Sequence, residues 1–303
     1  MTAHIFRNGT KKYHTLIMEV ISIKIGFIGA GKVGFSLGKY LKVNNITVTG
    51  YYSRNEDSSK KASIFTGTKQ FYSLNEIINE SDTIFITTPD GEIKNVWNEI
   101  KELSIRNKVI CHCSGSLSSE IFSNINQYGA YGYSIHPMFA ISDKHNSYKS
   151  LNQAFITIEG HSKYANEISR VITLLGNGVL IIDKNNKPLY HAASVTVSNL
   201  VLGLINTGVK QLIQCGFKED MAIKALQPLI SFNIQNIKEK GIVSSLTGPI
   251  ERGDLKTIES HCNVLNEDDE ILYKLLSKNV LEIAKSKNKD RDYKNIEEYL
   301  GGQ

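Results

Sequence analysis

Up to about residue 183, short apolar runs alternate with segments of helical spacing; beyond it only helical spacing remains. The sharpest pattern is IKIGFIGAGKVGFSLGKYL, residues 23–41. Ile23, Ile25, Phe27 and Ile28 predict a buried strand, and Val33, Leu37, Tyr40 and Leu41 fall at helical spacing. Between them stands Gly29-Ala30-Gly31-Lys32-Val33-Gly34. Apolar runs predict further strands over 45–52, 68–72, 82–88, 108–113, 131–134, 154–159 and 178–182. Helical spacing falls over 58–66, 74–79, 92–103, 118–124 and 164–175, with Asp90 placed to cap the third of these. This alternation implies an α/β fold, a doubly wound and mostly parallel sheet. After residue 185 the pattern predicts an all-helical domain: a long segment over 189–215, then 219–227 broken at Pro228, 229–239, 257–265 and 268–285. The division expected is a tail over 1–19, a Rossmann domain over 20–184 and a helical domain over 185–303. Met18, directly before the first strand, is a second candidate start.

A glycine turn between strand and helix is the context in which G-x-G-x-x-G carries meaning. Gly29 permits the turn, Gly31 lets a pyrophosphate approach the backbone, and Gly34 lets helix and strand pack closely. The helix start offers unpaired N–H groups to phosphates through Ala30, Lys32 and Val33. The second strand ends in Tyr51-Tyr52-Ser53-Arg54, without the carboxylate that holds a ribose 2′-hydroxyl. A hydroxyl followed by a guanidinium suits a 2′-phosphate, so Ser53 and Arg54 favour NADP over NAD, with Lys60 and Lys61 adding to the field. Thr87, Thr88 and Pro89 end the next apolar strand and are expected beside the cofactor.

The chain has 303 residues, 41% hydrophobic and 21% charged, and a net charge of +5 without a basic block apart from 285–294. Nothing in this points to nucleic acid. Cys111-His112-Cys113 lies in an apolar run, where both thiols share one strand face, and no second ligand pair follows at zinc spacing, so no metal is expected. Four cysteines left as thiols fit a reducing cytoplasm. No apolar run is read as reaching the ~18–20 residues of a spanning helix, so no membrane association is expected.

Several strings together resemble a known family: GAGKVG, TTPD, Cys113-Ser114-Gly115-Ser116, SIHPM, LYHAASVTVSN and, above all, Ser245-Leu246-Thr247-Gly248-Pro249-Ile250-Glu251-Arg252-Gly253-Asp254. They are similar to Rossmann-like proteins with a C-terminal DUF2520 domain, relatives of the 6-phosphogluconate and 3-hydroxyacid dehydrogenases, pyrroline-5-carboxylate reductase and ketopantoate reductase. The resemblance covers about residues 20–300. It implies an NADPH-dependent reductase of a small 2-oxo acid, with 2-dehydropantoate leading. An imine reductase of the same fold and a non-catalytic NADPH sensor are the alternatives. It also implies a homodimer through the helical domain.

Such a reductase needs a proton donor, groups that polarise the carbonyl and a site for the carboxylate. Residues 191, 195, 198 and 199 share one face of the expected helix. The relatives carry a Lys at the start of this helix and Asn one and two turns on; here His191, Val195 and Asn199 stand at those places. His191 is the candidate general acid, with Lys187 as fallback, and Asn199 the carbonyl partner. Ser114 either meets the substrate or caps the next helix. His136 either binds substrate or nicotinamide, or caps the turn before Pro137. Thr247 and Gly248 are expected to face the cleft. Arg252 either holds the substrate carboxylate or pairs with Asp254.

Overall fold

A computed structural model describes residues 23–302, so the expectations for residues 1–19 and Met18 lie outside the described residues. The chain divides into two compact units between Thr196 and Val197.

Among the described residues of the first unit, eight strands form one sheet: β1 (Lys24–Ile28), β2 (Thr47–Tyr52), β3 (Lys69–Gln70), β4 (Thr83–Ile86), β5 (Val109–His112), β6 (Tyr131–Met138), β7 (Phe155–Gly160) and β8 (Gly178–Ile181). Their order is β3-β2-β1-β4-β5-β6-β7-β8. Neighbours run parallel except β6 and β7. The connecting helices are α1 (Lys32–Val43), α2 (Glu56–Thr66), α3 (Leu74–Glu80), α4 (Asp90–Ile100) and α5 (Ser162–Leu174), and α6 (Lys187–Val197) follows the last strand.

Strand alternation sorts the apolar runs onto two cores. Phe27, Phe85 and Cys111 face one way, among residues of α1 and α5. Ile28, Ile84, Ile86 and Ile110 face the other, around Trp97 of α4. A strand covered on both faces needs apolar residues at successive positions, which is why these runs are continuous. The strand order reverses between β1 and β4, the switch point beyond whose carboxyl ends ligands bind in such sheets.

Two local expectations change. β6 continues through His136 to Met138, because β7 pairs with it antiparallel over this length, His136 opposite Thr157. His136 is therefore a strand residue and not a cap of a turn. Pro89 is the residue before α4, and Asp90 already lies in the helix, so its carboxylate is free for other partners.

The second unit contains α7 (Asn199–Gln214), α8 (Glu219–Ser245), α9 (Pro249–Arg252), α10 (Leu255–Cys262), α11 (Glu267–Lys287) and α12 (Lys294–Gly301). Its core gathers Ile250, Ile258, Cys262, Leu281, Ala284, Tyr293, Ile296 and Leu300. The expected helix over 189–215 is interrupted at Ser198 (φ −117°, ψ −79°). Pro228 does not break α8: proline removes one backbone donor, and the rest of the ladder carries the helix through. The interruption comes at Gly241 (φ 77°, ψ 171°), a conformation that suits glycine. Among the described residues one stretch, Lys184–Gln214, is long and apolar enough by length and composition to cross a membrane, contrary to the expectation that none would be.

Candidate active site

The glycine turn is built to leave room. Gly29 has φ 105°, and a Cβ there would lie 2.8 Å from the Thr87 carbonyl carbon. A Cβ on Gly34 would run into the Thr87 hydroxyl, which donates to Gly29 O at 2.9 Å. Gly31 differs: a Cβ there would meet only Thr87 O at 3.7 Å, so any side chain would occupy open cleft. Gly31 precedes α1, whose first-turn residues Lys32, Val33 and Gly34 leave backbone N–H groups without helical acceptors. Tyr51, fully buried, donates to Gly34 O at 3.2 Å and ties α1 to β2.

A cleft of about 310 Å³ opens beside this turn. Gly29, Ala30, Gly31, Ser53, Arg54, Thr87, Thr88 and Pro89 line it, bringing together the predicted cofactor residues of three strand ends. Thr88 Oγ1 is buried there without a hydrogen-bond partner. A backbone cradle, a helix start and an unpaired hydroxyl fit a dinucleotide. Arg54 reaches across to Glu92, Nη2 to Oε2 at 2.8 Å, while Lys61 pairs with Asp57 on its own helix at 2.9 Å. The pattern of the sequence did not single out Glu92 or Lys144, both of which line the cleft. Lys144 comes from the connection between β6 and β7, where no periodicity marks it.

Pro89 leads directly to a second cluster. Asp90 Oδ2 accepts from Ser114 Oγ at 2.7 Å and from Ser116 Oγ at 3.2 Å. Ser114 Oγ in turn accepts from the N–H groups of Ser116 (3.2 Å) and Leu117 (3.1 Å). Ser114 is thus the brace of the turn after β5. Lys187, the first residue of α6, is 1% exposed. Its ammonium donates to Ser114 O at 3.0 Å and Ser134 Oγ at 2.7 Å. Burial lowers its pKa to about 8, against the opposing pull of Glu159 and Asp90. Buried His112 accepts from Ser114 N at 3.2 Å, and desolvation drops its pKa to about 4.

Two imidazoles converge on Gly115. A Cβ on this residue would lie 2.7 Å from His191 Nδ1 and 3.0 Å from His136 Nε2. His136 Nδ1 lies 2.7 Å from the Tyr190 hydroxyl. Burial, followed by the charge of Lys187, lowers the pKa of His136 to about 4, so near neutral pH it offers an N–H and no charge. His191 Nδ1 is buried and has no hydrogen-bond partner. Lys187 stands at the start of the same helix, one turn before His191. Tyr190 directly precedes His191 in the sequence, and nothing in its spacing marks a role.

The remaining candidates belong to the second unit. Asn199 opens α7, is exposed, and its Oδ1 accepts from Ser198 Oγ at 3.0 Å. The break at Ser198 removes the continuous helix on which its shared face with His191 was reckoned. Thr247 precedes Gly248, whose φ of 108° makes the turn into α9. Asp254 caps α10, accepting from Thr257 N (3.1 Å) and Oγ1 (2.7 Å). Among the described residues no ion pair joins it to Arg252. Glu251 of the same string is tied to the chain's last segment: its backbone oxygen accepts from Tyr293 at 2.6 Å and its carboxylate from Asn288 at 2.8 Å.

Cradle, switch point and helical second unit define a protein of the Rossmann class. Residues 13–137 match a Rossmann-like domain and residues 154–280 the domain of unknown function DUF2520. No curated protein matches it significantly by sequence. Its structure is similar to that of protein TM1727 from Thermotoga maritima, with 25% identity, 87% of this chain and 99% of that one covered, and a TM-score of 0.71. A putative NADP oxidoreductase, BF3122 from Bacteroides fragilis, is 21% identical over 87% of this chain and 99% of its own, with a TM-score of 0.68. Pyrroline carboxylate reductase from Plasmodium falciparum, with NADP bound, is 16% identical over 88% and 97%, with a TM-score of 0.56. At such identities the last two speak for the fold.

Proposed function

We propose that this protein is an NADPH-dependent reductase of a small 2-oxo acid, with 2-dehydropantoate as leading substrate and pantoate, a precursor of pantothenate, as product. The observation that carries the reading is the buried, unpartnered Nδ1 of His191 beside His136 over the Gly115 turn. Asp90 connects this turn to the wall of the dinucleotide cleft. The structural neighbours include reductases with NADP bound, which supports the cofactor class.

Bound NADPH would supply a hydride to the keto carbon. The first-turn N–H groups of α1 and the backbone at Gly31 would hold its pyrophosphate, and Ser53 and Arg54 would take the 2′-phosphate. His191 gives a proton from Nδ1 to the substrate oxygen, leaving a 2-hydroxy acid. Lys187 is the alternative donor, but two of its three N–H bonds already hold Ser114 and Ser134. Within the second unit, Asn199, Thr247 and Arg252 are proposed to contact substrate, Arg252 through the carboxylate. The protein works in the cytoplasm, where its four thiols stay reduced. It acts as a homodimer through the helical domain.

The second reading, reduction of an imine such as pyrroline-5-carboxylate, rests on the pyrroline carboxylate reductases and imine reductases among the neighbours. Loss of NADPH absorbance with either substrate, for wild type and His191→Ala, separates the two. Turnover of 2-dehydropantoate that falls at least a hundredfold in the variant is expected. Turnover of the imine alone transfers the assignment to the second reading. NADPH binding with no turnover of either substrate removes the reductase reading.

A further inference from the structure

The geometry points to Tyr190 as a positioning residue that fixes His136 with its hydrogen on Nε2, so that the two imidazoles receive a carbonyl oxygen and not an imine nitrogen. This rests on the reductase reading and names the substrate class of that same site. The tyrosine hydroxyl and His136 Nδ1 are 2.7 Å apart, and the rings meet edge to face with centroids 5.7 Å apart. Of the two ways to share the hydrogen, the phenol is the stronger donor and the imidazole nitrogen the stronger acceptor. The hydrogen therefore runs from oxygen to Nδ1, and the ring's own N–H falls on Nε2. Thr157 stands opposite His136 in the strand register.

Nε2 belongs to the edge of His136 that faces Gly115, where His191 Nδ1 also arrives. Protonation does not blur this assignment near neutral pH. The charged and titratable groups around His136 are Lys187, His191, Asp90 and His112; burial, first, and then Lys187, His191 and His112 keep it uncharged down to about pH 4, against the opposing pull of Asp90. A neutral imidazole is a pure N–H donor on this side, the arrangement that polarises a carbonyl without transferring its own proton. His191 supplies the second donor and the proton. A carbonyl oxygen has two lone pairs and accepts both. An imine nitrogen has one lone pair, and an iminium none, so the second donor would face no acceptor.

Long-range ¹H–¹⁵N spectra of the full-length, ¹⁵N-histidine-labelled protein read the tautomer directly. His136→Asn assigns the signal by removing it. The expected result is an unprotonated Nδ1 and a protonated Nε2 at pH 7, changing to a mixture of tautomers in Tyr190→Phe. A protonated Nδ1 in wild type, or a Tyr190→Phe spectrum identical to it, overturns the proposal. In turnover, Tyr190→Phe is expected to lower kcat for the 2-oxo acid about tenfold while leaving NADPH affinity unchanged. Equal rates in the two proteins, or preferred reduction of the cyclic imine by wild type, also overturn it. Wild type that turns over neither substrate defeats the reductase reading, while the spectra still decide the role of Tyr190.

Discussion

A buried ammonium is a cost that must be visible in the pH dependence of folding, and Lys187 is the clearest case. Its side chain lies behind the Ser114 turn, and its pKa falls from 10.5 to about 8. Between these values the unfolded chain carries a proton that the folded chain has already lost. Unfolding then takes up a proton, and stability contributed by this residue rises with pH across about 8 to 10.5. Below pH 8 both states are protonated and the slope vanishes. Lys187→Met should remove this rise. Urea unfolding of both proteins at pH 7.5 and 10 is expected to show wild type gaining on the variant by on the order of 2 kcal/mol. No difference between the two pH values would mean that the ammonium is better hydrated than its burial implies. The same variant leaves Ser114 O and Ser134 Oγ without their donor, so the turn beneath the two imidazoles loosens and activity falls with it.

At the scale of elements, the loop carrying Arg54 depends on how α2 begins. Asn55 is its N-cap, and the side chain accepts from Ser58 N at 3.1 Å. Asn55→Ala should cost about 1 kcal/mol of stability. Asn55 and Ser58 also line the dinucleotide cleft, so NADPH should bind several-fold more weakly, measured by titration calorimetry. An unchanged affinity would show that the cleft holds its shape without the cap. The elements of this region were legible in the sequence because each carries a local signal. β1, the glycine turn and α1 declare themselves through buried runs and through Gly29 and Gly34, which admit no Cβ. The paths of His136 and Pro228 were not legible, since each was decided by a partner distant in sequence or by the helix around it. Antiparallel pairing with β7 drew His136 into a strand, and the ladder of α8 absorbed a proline that locally signals a stop. The site shows the same division. The cofactor residues lie on consecutive strand ends, whereas Tyr190, Asp90 and Lys144 gain their meaning only when distant segments meet.

For the whole molecule, the open question is what covers the apolar residues of α7 and α8. Leu200 (60% exposed), Leu229 (65%) and Phe232 (69%) are far more open than a stable surface of this composition warrants. Val209 and Ala222 are the buried residues of these two helices. A bilayer is a poor candidate for the covering surface. The stretch with the hydropathy of a span includes Lys187, whose ammonium is committed to Ser114 and Ser134, and it is broken at Ser198. In the homodimer proposed above, a second copy would supply a matching apolar surface through a twofold contact, in which each residue would meet its symmetry-related patch. Sedimentation equilibrium of wild type should therefore give the mass of two chains. Phe232→Asp would place two charges in that contact, and dissociation should become at least a hundredfold easier, with helical content retained at low temperature. The melting temperature of wild type should rise with protein concentration, and that of the variant should not, because only an associating fold gains stability by mass action. A wild-type mass of one chain at high concentration would refute the dimer and leave the face to a different partner.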